Sequence, residues 1–401
     1  MRLRRVKIHG FSLPLRQAMR TAHGRIERRD GFLVEVEDEA GLRGFGEATP
    51  LPSFGTEEFA KCREALEASF RADLTKAFSA VALDSQPESQ AQPQRQFQPG
   101  IQPTGTPCAE FAREAAFFDL QARREGKTLA AWIRDRAGLS GASPDQVRTQ
   151  ALVAGDSPAE VAEDAERAMG EGCSAFKLKV AMERVPGRGP DLTWDLERVG
   201  ALRSTVGAEA CIRLDANEGW TLGAAEQALE HLASFGVDFV EQPVRRGDLM
   251  GLKRLRDQGV VDVAADESLQ GAGFEACFSA EAASVWVVKT AALGGLDRSI
   301  EIARLARESG VRLVWSTLMD GAVSRGAALA LAAGLQSSEG VGEVHGLGTA
   351  DWLDADLGQE FAVAPGGKIG GKIKLRGGPG LGFVPEIPEG MSVGAGLEIS
   401  S

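Results

Sequence analysis

The sequence predicts an α/β protein: a TIM-type (β/α) barrel with an α+β capping domain built from the N-terminal part and the C-terminal segment. Three observations point there. From about residue 147, eight short apolar runs follow one another: "TQALVAG", "AFKLKVA", "CIRLDAN", "DFVEQPV", "VDVAADES", "VWVVKTA", "RLVWST" and "GEVHGLG". Their centres lie 23 to 36 residues apart, the length that one strand, one helix and two loops require. No G-x-G-x-x-G follows the first run, which weighs against a doubly wound open sheet and favours closure of eight units into a barrel.

The elements follow in order. "RRVKIHGFSLPL" and "GFLVEVEDEAGLRGFGEATPL" alternate as antiparallel strands do, and "DEAG" supplies a hairpin turn. "EEFAKCREALEASFRADLTKAFSAV" has helical spacing of apolar residues. Residues 84–107, rich in Gln, Pro and Ser, bury too little apolar surface to order themselves and read as a flexible insertion. Helical character resumes at "AEFAREAAFFDLQARREGKTLAAWI". The expected limits are a capping domain over 1–140, the barrel over 141–360, and a segment over 361–401 that returns to the capping domain.

Composition narrows the function. The 401 residues are 43% hydrophobic and 25% charged, an ordinary globular balance. A net charge of −12 argues against nucleic acid and anionic membranes as partners, because both are bound by clustered Lys and Arg. The five cysteines show no C-x-x-C spacing, and the basic N-terminus lacks an apolar run of signal-peptide length. A reducing cytoplasm and a small-molecule carboxylate substrate are the expectation. With no tyrosine and four histidines, phenolic catalysis is excluded and a histidine-rich metal site disfavoured.

The strand ends carry the chemistry. Asp215 ends the third strand, Glu241 the fourth and Asp266 the fifth, on the face where barrel enzymes keep their active sites. Three converging carboxylates repel one another unless a cation sits between them, and oxygen-only ligands suit Mg²⁺, with Mn²⁺ as substitute. Asn217 and Glu267, just beyond their strands, are expected to support these ligands. The second strand adds Lys177 and Lys179, which share one face, and the sixth adds Lys289. An ordinary lysine, with a pKa of about 10.4, is a poor base at neutral pH. A like charge and partial desolvation lower that value, and Lys177 is placed to do this to Lys179.

This arrangement resembles the enolase superfamily and its muconate-lactonizing subgroup, in which K-x-K, three acids on successive strands and a lysine on the sixth form the signature. The resemblance implies that Lys179 is the general base, Lys177 its electrostatic modulator and Lys289 the partner on the opposite face. "GEATPLPSF" at 46–54, "HGLGTADWLDADL" at 345–357 and "GGPGLG" resemble the o-succinylbenzoate synthases of menaquinone biosynthesis. Those enzymes dehydrate 2-succinyl-6-hydroxy-2,4-cyclohexadiene-1-carboxylate through a metal-stabilised enediolate. The resemblance also implies that loops containing Arg20, Thr21, His23, Leu51 and Phe54 close over the succinyl part, with Ser316 at the seventh strand end, and it allows a homo-oligomer.

Two features depart from that family: the insertion, and "STLMDGAVSRG", where Asp320 and Arg325 stand in place of a Ser-rich segment. An N-acylamino acid racemase or a dipeptide epimerase would use the same half-reaction. Dipeptide epimerases present a D-x-D pair for the substrate ammonium, and Asp354 and Asp356 form one here, read from their position as surface acids. A non-catalytic barrel binding protein would be expected to have lost a ligand or a lysine, and none is lost.

Overall fold

The structure, a computed structural model, describes residues 2–21, 24–75, 105–184, 187–336, 342–358, 361–362 and 371–400. Its first sheet is antiparallel. β1 (Leu3–Thr21) and β2 (Gly24–Asp38) form a long hairpin, and β3 (Arg43–Ala48) pairs with β2. Helices α1 (Phe59–Thr75), α2 (Pro107–Arg124) and α3 (Leu129–Arg136) follow. Gly44 and Gly46 let β3 approach α2: a Cβ on Gly46 would stand 1.9 Å from the carbonyl oxygen of Ala112. The expected insertion falls mostly on residues 76–104, outside the described residues, and Pro107 already opens α2.

All eight expected barrel strands are present. β4 (Gln146–Thr149) continues across Gln150 into β5 (Ala151–Val153), and helix α4 (Pro158–Gly170) leads to β6 (Ala175–Lys179). Then come α5 (Leu192–Val206), β7 (Cys211–Asp215), α6 (Leu222–Leu232), β8 (Phe239–Glu241), α7 (Leu249–Gln258), β9 (Asp262–Ala265) and α8 (Gly273–Ser279). β10 (Val285–Lys289), α9 (Thr290–Leu293), α10 (Leu296–Ser309), β11 (Arg312–Ser316), α11 (Ala322–Leu335) and β12 (Val344–His345) complete the series. Side-chain caps start several helices, among them Ser157, whose hydroxyl accepts from Glu160 N–H in a capping box with Glu160.

Strands β5 to β11 form one parallel sheet in chain order. The short eighth strand does not extend that sheet. β12 pairs in parallel with β4, and a single bridge, Ser316 to Gly346, ties it to β11, so the seam runs through the β4–β5 strand. The barrel interior is layered. Arg213, Asp238, Arg312 and Glu343 form an ion-pair network at the strand starts, and Phe239, Ala264, Val285, Val287 and Val314 form an apolar cluster.

The C-terminal segment is divided. β13 (Phe361–Ala362) and β14 (Lys372–Leu375) join the sheet of β4, while residues 391–393 bond β1 and β15 (Leu397–Ser400) pairs with β1 in the capping sheet. Residues 380–383 also bond the α2 and α3 region, so the later part of the segment packs on the N-terminal elements. Among the described residues no helix is long and apolar enough to cross a membrane.

Candidate active site

Parallel register aligns the functional strand ends. Lys179 pairs with Asp215, and Asp215 with Glu241, so a base and two acids stand side by side on β6, β7 and β8. Alternation then sets direction. Phe176 and Leu178 are fully buried in the main core, while the Lys177 ammonium lies 2.7 Å from both an Asp215 and a Glu241 oxygen. Positive φ at Ala181, Asn217, Gln242 and Met319 turns the chain sharply just past four of these strands, the kind of strained backbone that clusters at functional sites.

The electrostatics are tightly coupled. Burial alone would depress the Lys177 ammonium, but Asp215, Glu241 and Asp266 outweigh it and hold its pKa above the ordinary value. Burial, joined by Asp215 and Asp266, pushes Glu241 up to about 8. Burial also lifts Asp266 to about 6, against the pull of Lys289, whose ammonium bonds its carboxylate. Burial opposes ionisation of Asp215 too, yet Lys177 and Lys179 hold its pKa below the usual range.

Lys177, expected as the electrostatic modulator of Lys179, bonds two of the expected metal ligands, Asp215 and Glu241. Among the described residues no three Asp, Glu, His or Cys side chains stand close enough to hold a metal; Lys177 pairs with Asp215 and Glu241, and Lys289 with Asp266. The donor chemistry still fits a hard divalent cation: three buried carboxylates on adjacent strand ends, two with raised pKa, and a buried Glu267 Oε2 with no hydrogen-bond partner.

The other expected residues divide. The Asn217 amide donates to Glu267 Oε1 at 3.3 Å, and its backbone N–H to Asp215 Oδ1 at 3.1 Å, as supports would. The Phe54 ring centroid lies 4.0 Å from Lys289 Nζ, while Leu51 packs on the core and donates its N–H to Thr56. Ser316 ends β11 beside Gly346. Arg20 and Thr21 end β1, where the backbone alone is described, and His23 lies outside the described residues. Asp354 is exposed, but Asp356 is no surface acid: it pairs with the fully buried Arg325 and accepts N–H groups from Ala322 and Leu357.

Several residues were not foreseen. Arg198 and Asp195, buried on α5, hold the backbone around the base: Arg198 donates to the carbonyls of Lys179 (2.9 Å) and Gly155 (3.0 Å), and Asp195 accepts from Ala181 N–H (2.7 Å). Gln242 ties two loops together, accepting from the N–H of Asp266 and Ser268 and donating to Ser268 Oγ. Glu47 on β3 accepts from the N–H groups of Gly321, Val323 and Ser324 at the start of α11. Only the "D-x-x-R" spacing within an otherwise amphipathic helix hints at the α5 pair, since polar residues buried by distant contacts leave no periodic signal.

A barrel with acids on three consecutive strand ends and lysines on either side defines the class. Residues 160–389 match the family described as "Enolase C-terminal domain-like", and the chain belongs to it, within the enolase superfamily. Residues 3–89 match "MenC, N-terminal domain". The chain is 28% identical to the hydrophobic dipeptide epimerase of Enterococcus faecalis over 92% of its own length and 94% of the relative's. It is 26% identical to the L-Ala-D/L-Glu epimerase of Bacillus subtilis, covering 96% and 97%, and 31% identical to muconate cycloisomerase 1-2 of Acinetobacter lwoffii, covering 73% and 71%. The solved E. faecalis dipeptide epimerase complexed with Mg and L-Leu-L-Tyr superposes with a TM-score of 0.76 at 25% identity, covering 95% and 99%.

Proposed function

We propose that this protein is a Mg²⁺-dependent o-succinylbenzoate synthase, a carbon–oxygen lyase acting on 2-succinyl-6-hydroxy-2,4-cyclohexadiene-1-carboxylate. The observation that carries this choice is the fate of Asp356. A dipeptide substrate brings an ammonium group that needs an available acid, and here Asp356 is already paired with Arg325 and two backbone N–H groups. The match of residues 3–89 to the MenC N-terminal domain supports the same reading.

Lys179 removes the proton from the ring carbon that bears the carboxylate. The electron pair moves into the carboxylate as an enediolate and then returns to expel the neighbouring hydroxyl. Lys179 gives its proton to that hydroxyl, which leaves as water, and the ring becomes aromatic. Lys289, bonded to Asp266, sets its ammonium against the substrate ring and the developing charge. Asp215, Glu241 and Asp266 would hold Mg²⁺, which when bound supplies positive charge at the substrate carboxylate.

The test is Mg²⁺-dependent conversion of this substrate by purified protein, followed spectroscopically, with Lys179→Ala as control. Conversion that is absent in wild-type protein, or that persists in the variant, would sink the reading. The full-length similarity to dipeptide epimerases favours a second reading, 1,1-proton transfer between Lys179 and Lys289 on a dipeptide. Deuterium uptake at a dipeptide α-carbon in heavy water, without dehydration of the cyclohexadiene, would select it.

A further inference from the structure

A cavity of about 740 Å³ is lined by the base Lys179, by Met182, Arg184 and Trp352, and by the β1 residues Gln17 to Met19. This volume suits a drug-sized ligand. Leu152 and Met182, 37% and 46% exposed, are apolar side chains left partly in water, and both line this cavity. Among its charged groups, Arg198 is committed to the backbone of β6, and Glu183 accepts from Gly187 N–H. Arg184 is different. Its guanidinium carbon lies 3.9 Å from the Trp194 ring centroid, and Trp194 is itself fixed by a 3.0 Å hydrogen bond from Nε1 to the Asp156 carbonyl. Arg184 forms a long ion pair with Asp191 at 3.7 Å, and its side chain is half exposed. Stacking on Trp194 orients the guanidinium, and a bidentate carboxylate would compete with the long Asp191 contact for its half-exposed N–H edge.

We propose that this cavity is the subsite for the part of the substrate remote from the metal, with Arg184, steadied by Trp194, binding a second carboxylate across a stretch of apolar walls. The inference rests on the synthase reading, in which the substrate is a dicarboxylate: the ring carboxylate belongs at the acids of β7 to β9, and the succinyl carboxylate at Arg184. Arg184 is then a specificity residue, and Met182 and Leu152 cover the ring and the methylene groups.

Two measurements test this on the full-length, Mg²⁺-loaded protein. The first is calorimetric binding of o-succinylbenzoate against 2-butyrylbenzoate, which lacks the distal carboxylate. Wild type should prefer the dicarboxylate by on the order of tenfold or more, the worth of one charge-assisted hydrogen-bonded pair, and Arg184→Gln should lose that preference. The second is steady-state kinetics, in which Arg184→Gln should raise KM by a similar factor with a much smaller change in kcat, and Arg184→Lys should recover part of it. A wild type without preference, or a variant that keeps it, overturns the subsite. Turnover with KM unmoved by Arg184→Gln overturns the subsite while the synthase reading stands. Absence of turnover with the Arg184-dependent preference intact sinks the synthase reading alone.

Discussion

Lys289, on the sixth strand of the central parallel sheet, holds its ammonium 4.0 Å from the ring centroid of Phe54, a residue of the capping domain. This contact joins a catalytic candidate to a loop that precedes it by more than 200 residues, and it stacks a cation on an aromatic face while Asp266 bonds the same ammonium. A cation–π contact of this kind contributes about 0.5–2 kcal/mol. Phe54→Leu should lower kcat/KM by about 2- to 30-fold, and Phe54→Trp should restore most of it. Steady-state kinetics on both variants, with melting temperature as a check on folding, decides this.

Lys177 neutralises two buried acids, so its removal should be felt most when no divalent ion is present. Lys177→Ala in chelator should lose about 3–5 kcal/mol, the usual cost of leaving buried charge without its partner. Added Mg²⁺ should return much of that loss by binding the folded state alone. Denaturant unfolding of wild type and variant, with and without Mg²⁺, measures it. An equal loss in both conditions would contradict the proposed metal site.

Arg198 acts on the base through the backbone of β6. Arg198→Ala leaves the Lys179 and Gly155 carbonyls without their donor and Asp195 without its cation. The variant should be destabilised by about 3–5 kcal/mol, and kcat should fall more than KM rises, because Lys179 loses its fixed position rather than its substrate contacts. Arg198→Lys, which keeps the charge but not the fork, should recover stability better than activity.

Glu47 sets a pH dependence of stability. Burial first, then the nearby Asp320, pushes its carboxyl up to about 7 from an ordinary 4.5. The folded state thus binds more protons than the unfolded chain between these values. The stability it contributes is complete below about 4.5 and is lost as pH rises through about 7, a difference of about 3 kcal/mol. Buried His345, depressed to about 3, titrates in the opposite sense and loses stability as pH falls. The readout is therefore the difference between wild type and Glu47→Gln in urea midpoints across pH 4 to 8, which should shrink as pH falls.

Much of this was legible in the sequence because it depends on periodicity. Each barrel strand is a short apolar run, and the polar residue at its end breaks the pattern visibly, as Asp215 does in "CIRLDAN". What could not be read is which side chain meets which. The direction of Lys177 follows from alternation, but its bonds to Asp215 and Glu241 depend on distances across three strands. Asp356 looked like a surface acid because its partner Arg325 lies 31 residues away inside an almost wholly apolar helix. The brief eighth strand escaped the sheet for a similar reason, since pairing is decided by the neighbour it finds.

The carboxylate of Glu47 also bears on how this protein can be rearranged. It belongs to the third strand of the capping sheet, yet it satisfies three amide groups at the head of the helix between the last two barrel strands. A barrel expressed without its cap would expose those amides and the apolar surface around them. A cap grafted from a relative would have to bring an acid of the same reach. Exchange of substrate preference by swapping caps is thus limited by a structural clasp, and the two parts are heritable as a unit rather than as interchangeable modules.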